Sequence, residues 1–307
     1  MNGPATSHAA AWPTKQRELQ NHHMDSTHWD GFEFRDGDIV IATWAKSGTT
    51  WMQQIVGQLL YDGAEDVPIM QIAPWLEQRM VPRDKVHALL ASQTHRRFMK
   101  THLPVDALVF SPRARYVCVA RDGRDALWSW FNHHHAYNDA AYEVINGTPG
   151  LVGLPLPRPG DDVVAYFREW LERDGYPAWP FFANIRSWWE IRHLPNVLMV
   201  HFNDLKSDLA GSMRRIAAFL GIAADEALWP RMVEHCTFEY MKRHADRIAG
   251  VVTARMDGGA ARFIHKGSNG RWHGVLPEAD SVAYEAAALR ELGADCARWL
   301  AAGGVIA

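Results

Sequence analysis

Short apolar runs alternate along this chain with segments whose apolar residues recur at helical spacing. Residues 38–43 (DIVIAT) form one such run, which predicts a buried strand closed by a turn of small residues. Residues 49–60 (TTWMQQIVGQLL) follow with the spacing of an amphipathic helix. Further strands are predicted from apolar runs at residues 97–102, 115–120 and 196–202. The patterned part of the chain therefore begins with a strand, a loop and a helix.

The same order recurs later, because helices are predicted over residues 123–137 and 204–220, directly after two of the strands. Strands that alternate with helices pair in parallel through right-handed crossovers. We therefore predict an α/β fold with a single domain, whose mostly parallel central sheet is flanked by helices. No repeat or change of composition marks a second domain, so we expect a flexible arm at residues 1–30 and one domain at 31–307.

Two stretches interrupt this alternation. Residues 147–160 (GTPGLVGLPLPRPG) are rich in Gly and Pro, which predicts a long loop of the kind that gates a site. Residues 249–274 carry Gly258-Gly259 and then an unusual KGSNGRW segment. Both stretches are therefore candidates for parts of a binding site.

Composition excludes several classes of function. The chain has 32 Lys and Arg against 35 Asp and Glu, a formal net charge of -3, so no global basic field is present to hold a nucleic-acid backbone. The three cysteines are far apart, which disfavours a disulfide framework and a thiolate zinc site. The N-terminus has no apolar leader, and no apolar stretch is long enough to cross a bilayer. We expect a cytoplasmic protein that does not insert into membranes.

The loop between the first strand and helix, TWAKSGTT, has the composition of an anion-binding turn. Free backbone N–H groups and the helix dipole favour an anion at a helix N-terminus. Gly48 allows the backbone to approach a ligand closely, and Lys46 adds a positive charge. Further donors are the hydroxyl groups of Ser47, Thr49 and Thr50. The plain alternative is a helix capped by Ser or Thr after a strand.

This loop differs from a P-loop, G-x-x-x-x-G-K-[ST], in which the Lys reaches the β- and γ-phosphates and the next hydroxyl binds magnesium. Here Thr49 occupies the position of that Lys, and Lys46 precedes Gly48 by two residues. Thr43 replaces the first Gly. A cradle for a γ-phosphate and its metal is therefore incomplete, whereas one 5′-phosphate with a leaving group that needs no metal fits. We predict no metal site.

Five segments in one collinear order resemble cytosolic-type sulfotransferases, whose donor is 3′-phosphoadenosine 5′-phosphosulfate (PAPS). They are TWAKSGTTW at residue 43, KTHLP at residue 100, RYVCVARDGRDALWSWF at residue 115, the Trp-rich stretch 175–205, and RFIHKGSNGRWHGVL at residue 262. The resemblance extends over about residues 32–276, and the chain resembles a bacterial member of the family. It implies a PAPS-dependent sulfotransferase with a P-loop-like strand–loop–helix for the 5′-phosphosulfate.

The resemblance implies that Arg121 and Ser129 hold the donor's 3′-phosphate and that Trp51 stacks on its adenine. The whole implied donor site comprises Lys46, Ser47, Gly48, Thr49, Thr50, Trp51, Arg121, Ser129, Phe202, Phe263, His265, Lys266 and Gly267. Two of these residues depart from the family pattern, because His265 stands where an Arg is usual and Phe202 where a Tyr is usual. These departures bear on donor affinity rather than donor identity, and Arg262 is a candidate to supply the missing charge.

Four residues are candidates for the chemistry: His102, Lys46, Lys100 and Ser129. His102 ends a predicted strand, at the ligand edge of the sheet, where a general base can take the proton of an acceptor hydroxyl. The resemblance implies that Lys46 offsets charge on the bridging oxygen and that Lys100 stabilises the sulfuryl oxygens. The plain alternatives are a hydrogen-bonded buried His102 and a surface Lys100 at a strand end.

The acceptor site is predicted from aromatic residues near segments that line it in the family, and the acceptor is expected to be a small apolar or aromatic hydroxyl compound. These residues, with the base, are Phe32, Phe34, Trp75, His102, Tyr137, Phe167, Trp170 and Trp179. Adjacent residues on a helix point about 100° apart, so the run of histidines at 133–135 cannot converge on one metal ion and is interpreted as a solvated helix end.

Two other functions are compatible with the residues. One is a magnesium-dependent kinase, in which Asp122 after the strand at 115–120 binds the metal. The other is a nucleotide-binding protein of the same fold that has lost catalysis, which the His265 and Phe202 departures suggest. A homodimer is possible, although no dimerisation pattern is recognisable over residues 275–285.

Overall fold

A computed structural model describes residues 12–306 of the chain. Its central sheet has four strands, β1 (Ile39–Thr43), β2 (Phe98–Thr101), β3 (Arg115–Ala120) and β4 (Val197–His201). Every pair of neighbours is parallel, and the strands lie in the order β2-β1-β3-β4. The predicted α/β fold with a parallel sheet and flanking helices is confirmed.

Burial of both faces explains why the strands read as continuous apolar runs. Val40 and Ala42 of β1 point into the core on one side of the sheet, whereas Ile39 and Ile41 point into the core on the other side. All five residues of β1 are buried, because helices cover the sheet on both faces.

The helices of the described region vary in length. They are α1 (Thr49–Leu60), α2 (Ile69–Ile72), α3 (Arg83–Ser92), α4 (Gly123–His134), α5 (Asp139–Gly147), α6 (Val163–Glu172), α7 (Phe182–Glu190), α8 (Phe202–Ser207), α9 (Leu209–Leu220), α10 (Trp229–His235), α11 (Phe238–Arg243), α12 (Ala245–Ala249), α13 (Gly259–Phe263) and α14 (Glu278–Ala302). The longest span, α14, is interrupted at Gly293, whose φ of 74° and ψ of 168° are not helical. Short 3-10 turns occur at Ser26–Trp29, Val105–Ala107 and Gly250–Arg255. Within residues 12–306 no helix has both the length and the apolar character needed to cross a membrane.

The helix predicted over residues 204–220 is in fact two helices, α8 and α9. Asp208 lies between them with φ -145° and ψ 85°, and its carboxylate accepts a hydrogen bond from the N–H of Gly211 at 2.8 Å. An Asp that caps a new helix competes with continuation of the old one, which explains the break. The helix predicted over residues 123–137 ends at His134.

The Gly- and Pro-rich stretch packs against the domain in the structure. Helix α5 ends at Gly147, and the residues after it are irregular up to α6. Leu156 is buried, and the carbonyl of Pro157 accepts a hydrogen bond from His134 Nε2 at 2.8 Å. Its gating role stays a prediction.

Residues 12–30 of the predicted arm lie against the domain. Met24 and Trp29 are fully buried, and the N–H of Gln16 donates to the carbonyl of Asp106 at 2.7 Å. Trp29 Nε1 donates to the buried carboxylate of Glu77 at 2.8 Å. The first eleven residues lie outside the described part, and the division at residue 30 stays a prediction.

Candidate functional site

A cavity of about 480 Å³ opens where β1, β2 and β3 end. Ligands of parallel α/β sheets bind at this carboxyl edge, where the loops after the strands meet. The predicted site residues that line it are Lys46, Gly48, Thr49, Thr50, Trp51, Trp75, Lys100, His102, Arg121, Ser129, Tyr137, Trp179, Phe202, Phe263, His265, Lys266 and Gly267. The structure therefore brings most of the predicted donor and catalytic residues to one place.

The loop between β1 and α1 has the geometry of an anion cradle. Lys46 and Gly48 have left-handed backbone conformations, with φ 63° and 112°. A Cβ atom at Gly48 would lie 3.0 Å from the Phe202 ring, so the close approach requires glycine. The N–H groups of Thr49 and Thr50 donate to no acceptor within residues 12–306, as expected for the first turn of a helix.

Lys46 is the cation of this loop, and its side chain enters the cavity. Its Nζ lies 3.4 Å from His133 Nδ1 and 4.5 Å from the centre of the Phe263 ring. Burial, together with the charges of Lys100, Arg121 and Arg271, lowers the pKa of Lys46 to about 7. An anion bound beside it would favour the charged form.

Ser47 is the one predicted donor-site residue that does not line the cavity. It is fully buried, and its Oγ has no hydrogen-bond partner in the described part of the chain. A buried hydroxyl without a hydrogen-bond partner is costly in free energy.

His102 is held in one neutral tautomer. Its Nδ1–H donates to the carbonyl of Thr43 at 2.7 Å, which leaves the lone pair on Nε2. Burial and the charges of Lys100 and Lys46 lower the pKa of His102 to about 3. The ring is therefore unprotonated at neutral pH and can accept a proton at Nε2.

Glu77 positions the end of β2 and was not found by sequence reasoning. Its carboxylate accepts hydrogen bonds from the N–H of His102 at 2.7 Å and from Thr101 Oγ1 at 3.0 Å. Trp75 Nε1 donates to the same oxygen at 2.6 Å. Burial raises the pKa of Glu77. No motif around this residue in the sequence indicated such a role.

Arg121 lines the same cavity as Lys46 and is linked to it. Its Nη1 donates to the carbonyl of Lys46 at 3.2 Å, and its guanidinium carbon lies 4.2 Å from the centre of the Phe202 ring. The side-chain oxygen of Asn269 accepts from Arg121 Nε at 2.8 Å and also from Nη2. A phosphate that took the two-pronged contact would have to replace Asn269.

Cations of α8 and of the segment after α13 line the cavity, but the one expected does not. Arg262, in α13, is exposed and does not line the cavity, whereas Lys206 of α8 and Lys266 and Arg271 of the later segment do. Burial, with nearby Arg262 and Arg271, lowers the pKa of His265 to about 4, so it is neutral at physiological pH. Lys206 and Arg271 rather than Arg262 therefore supply charge here.

The interpretation of residues 133–135 as a solvated helix end is wrong. His134 is fully buried and bonds to the Tyr166 hydroxyl at 3.0 Å. His133 lines the cavity, as does His23 of the N-terminal segment. His23 was not singled out and His133 was considered only within the run at 133–135, because the local sequence carries no signal of contacts with residues 87 or more positions away.

Four predicted acceptor residues lie away from the cavity, in the core. They are Phe32, Phe34, Phe167 and Trp170. Phe32 and Phe34 pack on Trp29, with ring centres 5.7 and 6.0 Å away, and Trp170 packs on Phe181 at 5.1 Å. Aromatic composition does not separate pocket from core, since both favour large rings.

A second cavity of about 500 Å³ adjoins the first. The two share the lining residues His23, Trp75, Lys100, His133, Tyr137 and Phe263. The rest of its lining is mostly apolar and includes Met70, Met80, Val86, Leu89 and Val251. Residues 148–162 line neither cavity. Of the four catalytic candidates only Lys100 belongs to this shared wall, which separates a cation-rich space from a mostly apolar one.

A parallel sheet with a lysine-bearing anion loop after β1, beside a neutral histidine, is an arrangement that suits a group-transfer enzyme with a phosphorylated donor. The chain belongs to the sulfotransferase family, since the family model described as "Sulfotransferase domain" matches residues 36–293. The predictions of family, fold and enzyme class are confirmed.

Named relatives agree with this assignment. A glycolipid sulfotransferase of Mycobacterium bovis is 34% identical over 285 residues, which cover 85% of this chain and 86% of that protein. Sulfotransferase 1B1 of Mus musculus is 30% identical over 267 residues, covering 83% and 82%. A solved mouse sulfotransferase complexed with PAP has the same fold, with a TM-score of 0.67, 21% identity and coverage of 90% and 92%.

Proposed function

We propose that this enzyme transfers a sulfuryl group from PAPS to a hydroxyl group of a small acceptor. The observation that carries the proposal is that Lys46 and Arg121 line one cavity and are joined through the Lys46 carbonyl. Two separated phosphates of one nucleotide need a cation at each end, and the loop at residues 46–50 and the late segment 265–267 lie at the same cavity.

Features of the cavity fit this donor. The free N–H groups of Thr49 and Thr50 suit the 5′ side, whereas the buried Ser47 hydroxyl does not line the cavity. Arg121, Ser129, Lys266 and Gly267 are proposed for the 3′-phosphate. Trp51 and Phe202 form an aromatic pair, with ring centres 5.2 Å apart, that suits the adenine. The remaining proposed contacts are Gly48, Phe263 and His265, which also line the cavity.

The donor supplies an activated sulfuryl group on a phosphate that leaves without a metal. His102 Nε2 takes the proton of the acceptor hydroxyl, because its other nitrogen is committed to Thr43. Lys46 offsets negative charge on the oxygen that leaves sulfur, and Lys100 faces the sulfuryl oxygens. The new O–S bond forms as the S–O bond to the phosphate breaks, so atoms and charge balance.

The acceptor is proposed to occupy the second cavity and to extend its hydroxyl past Trp75 into the first cavity, which His102 lines. Trp75, Tyr137 and Trp179 are the predicted aromatic residues that reach the site. The apolar lining beyond Trp75 and Tyr137 suits an apolar or aromatic body. The M. bovis relative, named for a glycolipid, supports a second candidate, a hydroxyl carried on a lipid. A cytoplasmic location agrees with three buried free cysteines, and a homodimer stays a prediction.

An acceptor screen tests this function. Purified protein is given PAPS with phenols, sterol-like alcohols and lipid-linked sugars, and PAP release is followed with magnesium or with EDTA. We expect turnover that EDTA does not reduce. A requirement for magnesium with a nucleoside triphosphate as the productive donor would contradict the proposal and favour a kinase.

The variant His102→Ala separates catalysis from binding. We expect turnover to fall by roughly 10²- to 10⁴-fold, the usual contribution of general base catalysis, with PAP affinity changed by less than about threefold. Calorimetric titration with PAP measures the binding. Full activity in this variant would dismiss His102 as the base, and absence of turnover in the wild type with intact PAP binding would identify a binding protein.

A further inference from the structure

Five residues form a continuous chain of hydrogen bonds across the wall between the two cavities. Lys46 Nζ lies 3.4 Å from His133 Nδ1, and His133 Nε2 lies 3.0 Å from the Tyr137 hydroxyl. That hydroxyl lies 3.3 Å from His23 Nε2, and His23 Nδ1 contacts His22 Nδ1. The chain ends where His22 Nε2 meets the carbonyl of Pro177 at 2.7 Å.

The direction of every hydrogen bond follows from the group at the end of the chain, the carbonyl of Pro177. A carbonyl only accepts, so His22 carries its proton on Nε2 and accepts at Nδ1. His23 must then donate from Nδ1 and accept the Tyr137 hydroxyl proton at Nε2. Tyr137 in turn accepts from His133 Nε2–H, which leaves the Nδ1 lone pair of His133 facing the Lys46 ammonium. One set of tautomers satisfies all five groups.

The environment keeps these rings neutral. Burial lowers the pKa of His22 to about 4 and moves the pKa of His23 and His133 well below the usual value. The charges of Lys46 and Lys100 act on His133 in the same direction. Neutral imidazoles are needed for the chain, because a protonated His133 would repel Lys46.

Two members of the chain come from outside the matched domain. The family model begins at residue 36, whereas His22 and His23 belong to the N-terminal segment. His23 nevertheless lines the same cavity as Lys46, and both of these histidines are buried. The segment is therefore placed to influence the site.

We propose that His133 is a positioning residue for Lys46 and that the N-terminal segment orients it through His23 and Tyr137. The proposal rests on the proposed function, in which Lys46 acts on the leaving oxygen. Lys46 has a flexible four-carbon side chain, and one fixed acceptor limits the positions of its ammonium group. The bond to Lys46 is long in the free protein, as catalytic contacts often are before ligand binding.

The first test is spectroscopic and does not depend on activity. Side-chain ¹⁵N spectra of the free protein at pH 7, assigned with single His→Gln variants, report tautomers. We expect neutral rings with the proton on Nε2 in His22 and His133 and on Nδ1 in His23. A protonated His133, or its proton on Nδ1, would overturn the proposal whether or not PAPS is the donor.

The second test is a double-mutant cycle on turnover of PAPS. His133→Phe keeps a ring but removes the acceptor, and we expect kcat to fall by roughly tenfold to a hundredfold, the cost of a misplaced catalytic group. His133→Asn offers an oxygen near the former Nδ1 and should restore kcat to within about threefold of the wild type. PAP affinity should change little in both.

In a Lys46→Met background, His133→Phe should have no further effect, because groups that act as a unit are not additive. In a His133→Phe background, His23→Ala should likewise cause no further loss of kcat. If His133→Phe lowered kcat equally in the wild type and in the Lys46→Met variant, the proposal would be overturned. His135→Gln is the matched control, since His135 lies at the same helix end but bonds to the Gly160 carbonyl, and it should keep wild-type turnover.

Discussion

At the level of single side chains, the proposed donor site has a different cation for each end of the nucleotide. Lys46 and Arg121 enter one cavity, but they differ in chemistry, because the guanidinium is a planar fork of donors and the ammonium is a point charge. Arg121 already makes a two-pronged contact with Asn269 Oδ1 and stacks on Phe202. A phosphate that replaces the Asn269 oxygen would meet the Arg121 donors already in position for a two-pronged contact.

Arg121→Lys is expected to weaken PAP binding by roughly tenfold to a hundredfold, because charge-assisted hydrogen bonds of this kind contribute about 1.5–3 kcal/mol. Binding of AMP, which lacks the 3′-phosphate, should change by less than about threefold. Calorimetry with both nucleotides measures the two affinities. An equal loss for AMP and PAP would place the 3′-phosphate elsewhere.

Loops between elements carry the proposed donor contacts, and two glycines allow the close backbone packing seen there. Gly48 and Gly267 both have left-handed backbones and face aromatic rings. At Gly267, where φ is 61°, an added Cβ would lie 2.5 Å from the ring of Phe238. The late segment can therefore reach the cavity only with glycine at this position.

Gly267→Ala is expected to lower PAP affinity by about tenfold, since a left-handed non-glycine residue costs of order 1–3 kcal/mol and the clash displaces the segment. Gly160→Ala is the control, because a Cβ there meets no atom within 4 Å. Calorimetric titration measures the affinity of both variants. Unchanged binding in Gly267→Ala would show that the segment does not contact the donor.

At the scale of the whole molecule, several histidines are buried in their neutral form. Burial lowers the pKa of His22 and His134 to about 4 and that of His102 to about 3. In the unfolded chain these imidazoles take up protons as the pH falls through about 6.5, whereas in the folded chain they stay neutral. Their contribution to the free energy of unfolding is therefore complete above pH 6.5 and is lost as the pH falls toward 4.

We therefore expect the free energy of unfolding to fall by several kcal/mol between pH 7 and pH 5, at roughly 2 kcal/mol for each such histidine. Urea denaturation at the two pH values measures the change. His22→Gln should reduce the fall, and the exposed His193 provides the control variant His193→Gln. A free energy that is equal at both pH values would contradict the expectation.

Much of the fold was predictable because its signals are local. The four strands lie within one residue of their predicted bounds, and α1 occupies residues 49–60 as predicted. The loop after β1 was recognised from Lys46 and Gly48. By contrast, the break at Asp208 and the core positions of Phe32, Phe34, Phe167 and Trp170 depend on packing that the local pattern does not contain.

Amino-acid order alone determined the parallel α/β arrangement, the anion loop after β1 and the family, because periodicity and spacing act over neighbouring residues. Tertiary structure alone decided which histidines reach Lys46, that Glu77 holds the end of β2, and which aromatic rings line the cavities. His23 and Tyr137 are 114 positions apart in the chain. Contacts over such distances depend on how elements pack, and no local pattern records that packing.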